Sequence, residues 1–169
     1  MRQPAIAGLA SLRWLIISFV VVIADQVSKW LIITNMDEFQ RIYLMPYFDL
    51  VRYHNTGAAF SLFADAGGWQ HWFFTGIAFV VSVGILWYLW SLPARGCRTL
   101  ATGLALVLGG AIGNVIDRLV HGHVVDFLLV YYKEWAWPAF NVADSAITVG
   151  VTLIIIDSLF FERHRKQAD

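Results

Sequence analysis

Apolar residues gather in four long runs along this chain, separated by shorter polar and aromatic connections. The runs are Leu12–Ile33, Trp69–Leu92, Leu100–Val120 and Ser145–Phe161. At about 1.5 Å of rise per residue, such segments cross the roughly 30 Å of hydrocarbon in a bilayer. In lipid the backbone must satisfy its own hydrogen bonds, so each run is expected as a helix. The connection 34–68 is too polar to span and too aromatic for a disordered linker. Its stretch Arg41–Tyr53 alternates in a strand-like way before a turn at Asn55-Thr56-Gly57, which predicts a small sheet lying on the membrane surface. The connection 121–144 carries Val124-Val125-Asp126-Phe127 and then Trp135-Ala136-Trp137-Pro138, expected as a short interfacial helix. The expected fold is therefore an all-α membrane protein. It has four transmembrane helices, a small outer-face β platform and a short interfacial helix, in one domain over residues 1–169.

The first run resembles a secretory signal, with Arg2 and Arg13 ahead of it. It is longer than the usual apolar core of about 7–15 residues, lacks a small-x-small cleavage site and contains Asp25, Gln26, Ser28 and Lys29. It is read as a mature helix. With four spans both termini share a side. That side carries Arg2, Arg13, Arg95, Arg98, Arg163, Arg165 and Lys166, whereas the opposite connections carry Arg41, Arg52 and Lys133. Positive charge stays inside, so both termini are expected in the cytoplasm. Tryptophans at both ends of the runs fit interfacial belts.

Composition agrees with this class: 59% of the 169 residues are hydrophobic and 14% charged, against about 25% charged in soluble domains. The formal net charge is zero, which gives no attraction to nucleic acid. Cys97 is the sole cysteine, which excludes an intramolecular disulfide and a cysteine metal cluster.

Charged groups in or beside membrane helices call for a partner or a function. Asp25 and Lys29, spaced i,i+4, are expected as a structural ion pair. On the third run Ala101, Ala105, Gly109 and Gly113 form a small-residue stripe for close helix packing. Gly110, Asn114 and Arg118 form a second row that ends in polar groups, either holding the fold or orienting a site. Asp126 lies just past the third run and Asp144 at the start of the fourth, so topology brings both carboxylates to one interface. Their ordinary readings are a solvated loop charge and a helix cap. The chemical reading is a carboxylate pair. Two carboxyls held close share a proton, so one activates water while the other polarises a carbonyl, with no cofactor. A rival reading takes His121, His123 and Asp126 as zinc ligands. Another is non-enzymatic: a small four-helix transporter or proton channel built on Asp25 and Asp117.

The segments Asp25-Gln26-Val27-Ser28-Lys29, Asn55-Thr56-Gly57-Ala58-Ala59-Phe60, Gly109 through Arg118, Gly122-His123-Val124-Val125-Asp126-Phe127 and Phe140-Asn141-Val142-Ala143-Asp144-Ser145-Ala146 resemble the motifs of bacterial lipoprotein signal peptidase, the type II signal peptidase, in the family's order. The resemblance implies an aspartic endopeptidase of the inner membrane, with its site at the periplasmic face and no metal or other cofactor. It would remove the signal peptide from a prolipoprotein by cutting just before a diacylglyceryl-modified cysteine. Asp126 and Asp144 match the catalytic pair; Asp25, Lys29, Asn55, Gly57, Gly110, Asn114, Arg118, Asn141 and Ala143 match site-lining positions. Membrane lipids and the cyclic peptide inhibitor globomycin are the further partners implied, and the chain is expected as a monomer.

Overall fold

The computed structural model describes residues 8–57, 69–93 and 96–161. Ala58-Ala59-Phe60, the rest of the expected first outer loop to residue 68, and the orientation charges Arg2, Arg95, Arg163, Arg165 and Lys166 lie outside the described residues. Helices form where the long apolar runs predict them. They are α1 (Leu15–Asn35), entered through a 3-10 segment at Gly8–Trp14, α2 (Trp69–Ser91), α3 (Arg98–His121) and α4 (Val142–Ile156), which continues as a π turn over Asp157–Phe161. Each of the four helical stretches is long and apolar enough to cross a membrane.

α3 is the central helix and packs against α1, α2 and α4. The other three turn much of their apolar surface outward, with Phe19, Trp72, Phe79, Trp87 and Leu159 all exposed; lipid can cover such faces, so they need no protein partner. The small-residue stripe lies against α1: Ser18 donates its hydroxyl to the Ala105 carbonyl at 2.7 Å, and a methyl at Gly109 would come within 2.8 Å of the Ser18 carbonyl. On the α4 side, Gly103 and Gly150 approach so closely that a Cβ on either would sit 2.6–2.7 Å from the other's carbonyl oxygen. Away from the sheet, Ile85, Leu89, Cys97, Leu100, Leu104 and Leu108 form a core between α2 and α3.

Four antiparallel strands form one sheet in the order β1 (Arg41–Met45), β2 (Phe48–Asn55), β3 (Val124–Tyr132) and β4 (Trp135–Ala136). The pairing sets Tyr53 opposite Asp126 and Asn55 opposite Val124. Val125 and Phe127 pack with Ile32 and Met36 at the end of α1. Arg52 joins the sheet to that helix end by donating to the carbonyls of Ile33 at 3.2 Å and Met36 at 2.7 Å, groups that the helix itself leaves unsatisfied. Arg41 pairs with the buried Asp49, which also accepts from the Tyr131 hydroxyl at 3.3 Å.

The expected interfacial helix at Trp135–Pro138 is instead a hairpin strand. Six of the nine residues of Val124–Tyr132 are β-branched or aromatic, a composition that favours a strand. The chain then reverses through Lys133, at φ 55°, so that Trp135 pairs with Tyr132 and the Trp137 amide donates to the Val130 carbonyl at 2.8 Å.

Candidate active site

The start of α4 determines most of the site. Asn141 is its N-cap: the side-chain oxygen accepts from the Asp144 amide at 2.9 Å, and the Asp144 carboxylate accepts from the Asn141 amide at 3.2 Å. This reciprocal capping box starts the helix three residues before the expected Ser145. It also fixes the Asp144 side chain, so the cap reading and the carboxylate-pair reading describe the same residue.

Asp126 is not a solvated loop charge. It lies on β3 with 3% of its surface exposed. Its two oxygens accept from Asn141 Nδ2 at 2.8 Å and Asn55 Nδ2 at 2.9 Å. Asn141 therefore holds one aspartate with its side-chain nitrogen and the other with its backbone and side-chain oxygen. Burial, and after it the negative charge of Asp144, push the Asp126 carboxyl up to about 7, against the opposing hydrogen bonds. Near neutral pH this carboxyl carries a proton about half the time.

Beneath the aspartates lies a network of buried polar groups. Asn114 donates to Asp144 at 2.9 Å, and its oxygen accepts from Lys29 at 3.1 Å. Lys29, 2% exposed, also meets Asp25 at 2.8 Å and Asp117 at 2.9 Å. The expected Asp25–Lys29 pair is thus half of a three-charge cluster. Asp25 in turn accepts from the Ala143 amide at 2.9 Å, and Asp117 from the Val125 amide at 3.1 Å, so one cluster ties α1 and α3 to both strand β3 and helix α4. A Cβ at Gly110 would collide with the Ala143 carbonyl, and one at Gly113 would stand 2.6 Å from Asp25.

Arg118 closes the other side. Its guanidinium donates to the carbonyls of Gly57 at 3.1 Å and Asn114 at 3.3 Å and lies 5.8 Å from the Phe74 ring centre. The Gly57 amide donates to Asn55 Oδ1 at 3.0 Å, so the Asn55 amide links the turn to Asp126. All eleven residues singled out by the sequence thus fall in one connected assembly at the sheet-bearing end of the bundle. Asp117 and Gln26 belong with them although not singled out for the site. Gln26 donates to Asp117 at 2.8 Å and Asp25 at 3.2 Å. Their signal was present, as Asp117 adjoins Arg118 and Gln26 follows Asp25.

The rival zinc grouping does not converge. His123 stacks on His54 with ring centres 3.9 Å apart, while Asp126 is engaged by Asn55 and Asn141. Among the described residues, no three His, Cys, Asp or Glu side chains are arranged to hold a metal ion.

One cavity borders Asp144 and another borders Arg118. The first, of about 420 Å³, is lined by Asn55, Trp137, Phe140, Asp144, Thr148 and Val149, among others. The second, of about 390 Å³, is lined by Thr56, Gln70, His71, Trp72, Arg118 and Leu119, with Gly122.

Residues 17–160 match the family model described as signal peptidase (SPase) II. A lipoprotein signal peptidase of Alteromonas mediterranea is 54% identical over 146 residues, covering 86% of this chain and 80% of that one. Its counterpart in Cupriavidus necator is 48% identical over 158 residues, covering 94% and 89%. Among solved structures, a bacterial membrane enzyme determined by the in meso method at 2.3 Å superposes with a TM-score of 0.77 at 32% identity, covering 87% of each chain. Another, determined at 1.9 Å, gives a TM-score of 0.75 at 29% identity, covering 96% of this chain and 99% of that one.

Proposed function

The chain belongs to the signal peptidase II family, and on that premise we propose that Asp126 and Asp144 form the catalytic pair of an aspartic endopeptidase. The family's activity is the removal of signal peptides from prolipoproteins. The observation that carries the catalytic reading is the shared grip of Asn141 on both aspartates, one of which is raised to about 7.

Such a pair holds one proton across two carboxyls. The ionised member takes a proton from a water molecule, and the protonated member donates a hydrogen bond to the scissile carbonyl. Water attacks the carbonyl carbon, the tetrahedral intermediate collapses, and the departing nitrogen receives a proton from the pair. Asn55, Asn114 and Asn141 keep the carboxyls in place, and Arg118 holds the Gly57 carbonyl of the turn that carries Asn55.

The substrate on this reading is a prolipoprotein with a diacylglyceryl cysteine, cut just before that cysteine in the inner membrane. The aspartates face the periplasm, both termini lie in the cytoplasm, and globomycin inhibits by occupying the site. A catalytic pair at the end of a lipid-embedded bundle can meet an acylated peptide whose tails remain in the bilayer. The transporter reading is disfavoured because both of its acids, Asp25 and Asp117, are held in buried ion pairs with Lys29.

The test is to incubate purified protein with a lipidated and an unlipidated prolipoprotein and follow the mass of each. Loss of the signal peptide from the lipidated form alone supports the reading, and persistence of both masses contradicts it.

A further inference from the structure

The two cavities, one bordered by Asp144 and the other by Arg118, differ in chemistry. In the larger one the hydroxyls are already engaged: Ser145 donates to the Asn141 carbonyl and Thr148 to the Asp144 carbonyl, each at 2.9 Å. What these residues leave for a ligand is largely hydrocarbon, beside Trp137, Phe140 and Val149. That wall suits the small apolar side chains of a signal peptide.

The smaller cavity keeps donors in reserve. Arg118 Nε and His71 Nδ1 are both buried nitrogens with no hydrogen-bond partner among the described residues, and both residues line this cavity. A donor left unmatched away from water is costly, so native structures rarely retain one without a use. Arg118 Nε always carries a hydrogen, and neutral imidazole can carry its hydrogen on Nδ1.

The two donors call for a ligand with acceptors. An anion is a poor match, because the carboxylates of Asp144, Asp126 and Asp117 already act on the Arg118 charge. A neutral molecule with a pair of carbonyl oxygens matches both donors and needs no counter-charge. The cavity also has a lipid-facing edge, where Trp72 and Leu119 are 68% and 59% exposed on the outer surfaces of α2 and α3. A diacylglyceryl thioether fits each requirement. It has two ester carbonyls, no hydrogen-bond donor and no charge, and its chains must leave toward the bilayer.

We propose that the cavity between α2 and α3 is the ester-recognition subsite for the lipidated cysteine, read by Arg118 Nε–H and His71 Nδ1–H. This rests on the peptidase reading above. The signal peptide then occupies the larger, apolar cavity, and the scissile bond crosses at Asn55-Thr56-Gly57, where Asn55 lines one cavity and Thr56 the other.

The experiment compares two synthetic prolipoproteins of identical peptide sequence and chain length. One carries an S-diacylglyceryl cysteine, and the other the dialkyl ether analogue, which lacks the carbonyl oxygens. For the unaltered protein, KM for the ether substrate should be about tenfold higher or more, with kcat within about twofold, since two hydrogen bonds are lost, one of them from a charged donor. His71→Phe retains a ring and removes the donor. It should raise KM for the ester several-fold and leave the ether unchanged, so the ester preference shrinks. Equal KM values for ester and ether in the unaltered protein overturn the subsite whether or not His71→Phe folds, and so does a His71→Phe effect of equal size on both substrates. Cleavage of neither substrate overturns the peptidase reading, and the subsite with it.

Discussion

The side-chain nitrogen of Asn141 donates to Asp126 at 2.8 Å, while the oxygen of the same amide caps the helix that carries Asp144. One residue thus links strand β3 to helix α4 beside both carboxyls. The two jobs can be separated. Serine caps helices about as well as asparagine but is too short to reach Asp126. Asn141→Ser should lower kcat by at least about tenfold with little change in melting temperature, whereas Asn141→Ala should lower both. Near-normal kcat in Asn141→Ser would reduce Asn141 to a cap.

Lys29 pairs with two buried acids at once. Lys29→Met should destabilise the protein by about 3–5 kcal/mol, because it leaves uncompensated carboxylates in the interior. Adding Asp25→Asn and Asp117→Asn should recover much of that loss. Thermal unfolding of the single and triple variants in detergent checks both statements; a triple variant less stable than the single would show that the cluster is held by something other than charge balance.

This cluster marks the limit of what the sequence discloses. The i,i+4 spacing of Asp25 and Lys29 reveals their contact because both lie on one helix. The contact of Lys29 with Asp117 depends on how α1 rotates against α3, and no local spacing encodes that. The stripe ending at Gly113 and the row Gly110–Asn114–Arg118 were legible as faces of one helix, and they meet α1 and the site as their separation around the helix requires. Asp126 and Asp144 were legible as neighbours from topology alone. The β4 hairpin was not, because Trp135-Ala136-Trp137-Pro138 has too few residues to display a period, and its pairing partner decides its form. The Asn55 amide is likewise directed by the β2–β3 register, which puts it on Asp126.

Gly113 and Gly84 offer a paired test of packing. A methyl at Gly113 would meet Asp25 at 2.6 Å, whereas one at Gly84 has nothing within 4 Å. Gly113→Ala should therefore cost about 1–3 kcal/mol by forcing α1 from α3. Gly84→Ala should be neutral or stabilising by up to about 1 kcal/mol through helix propensity. Similar melting temperatures for the two variants would contradict the close approach.

Asp126 should set the alkaline limit of activity. Its carboxyl titrates near 7 in the folded protein and near about 3.9 in an unfolded chain. Between those values the folded state holds a proton that the unfolded state has released, so this group's contribution to stability declines as pH rises from about 4 to about 7 and is constant above. Turnover should fall with an apparent pKa near 7 as the shared proton is lost. Asp126→Asn should remove the decline in stability, giving a higher melting temperature relative to the unaltered protein at pH 8 than at pH 5. A melting difference independent of pH would contradict the raised value.

The central claim is that two carboxyls, and no other group, perform the proton transfers. The most direct measurement is cleavage of a lipidated prolipoprotein by Asp126→Asn and by Asp144→Asn, each purified and shown to melt as a folded protein, with and without a chelator. Each substitution should lower turnover by at least about a thousandfold, since one carboxyl cannot act as both base and acid, and the chelator should leave the unaltered enzyme fully active. Near-normal turnover in either folded variant, or activity lost to the chelator and restored by zinc, would contradict the account.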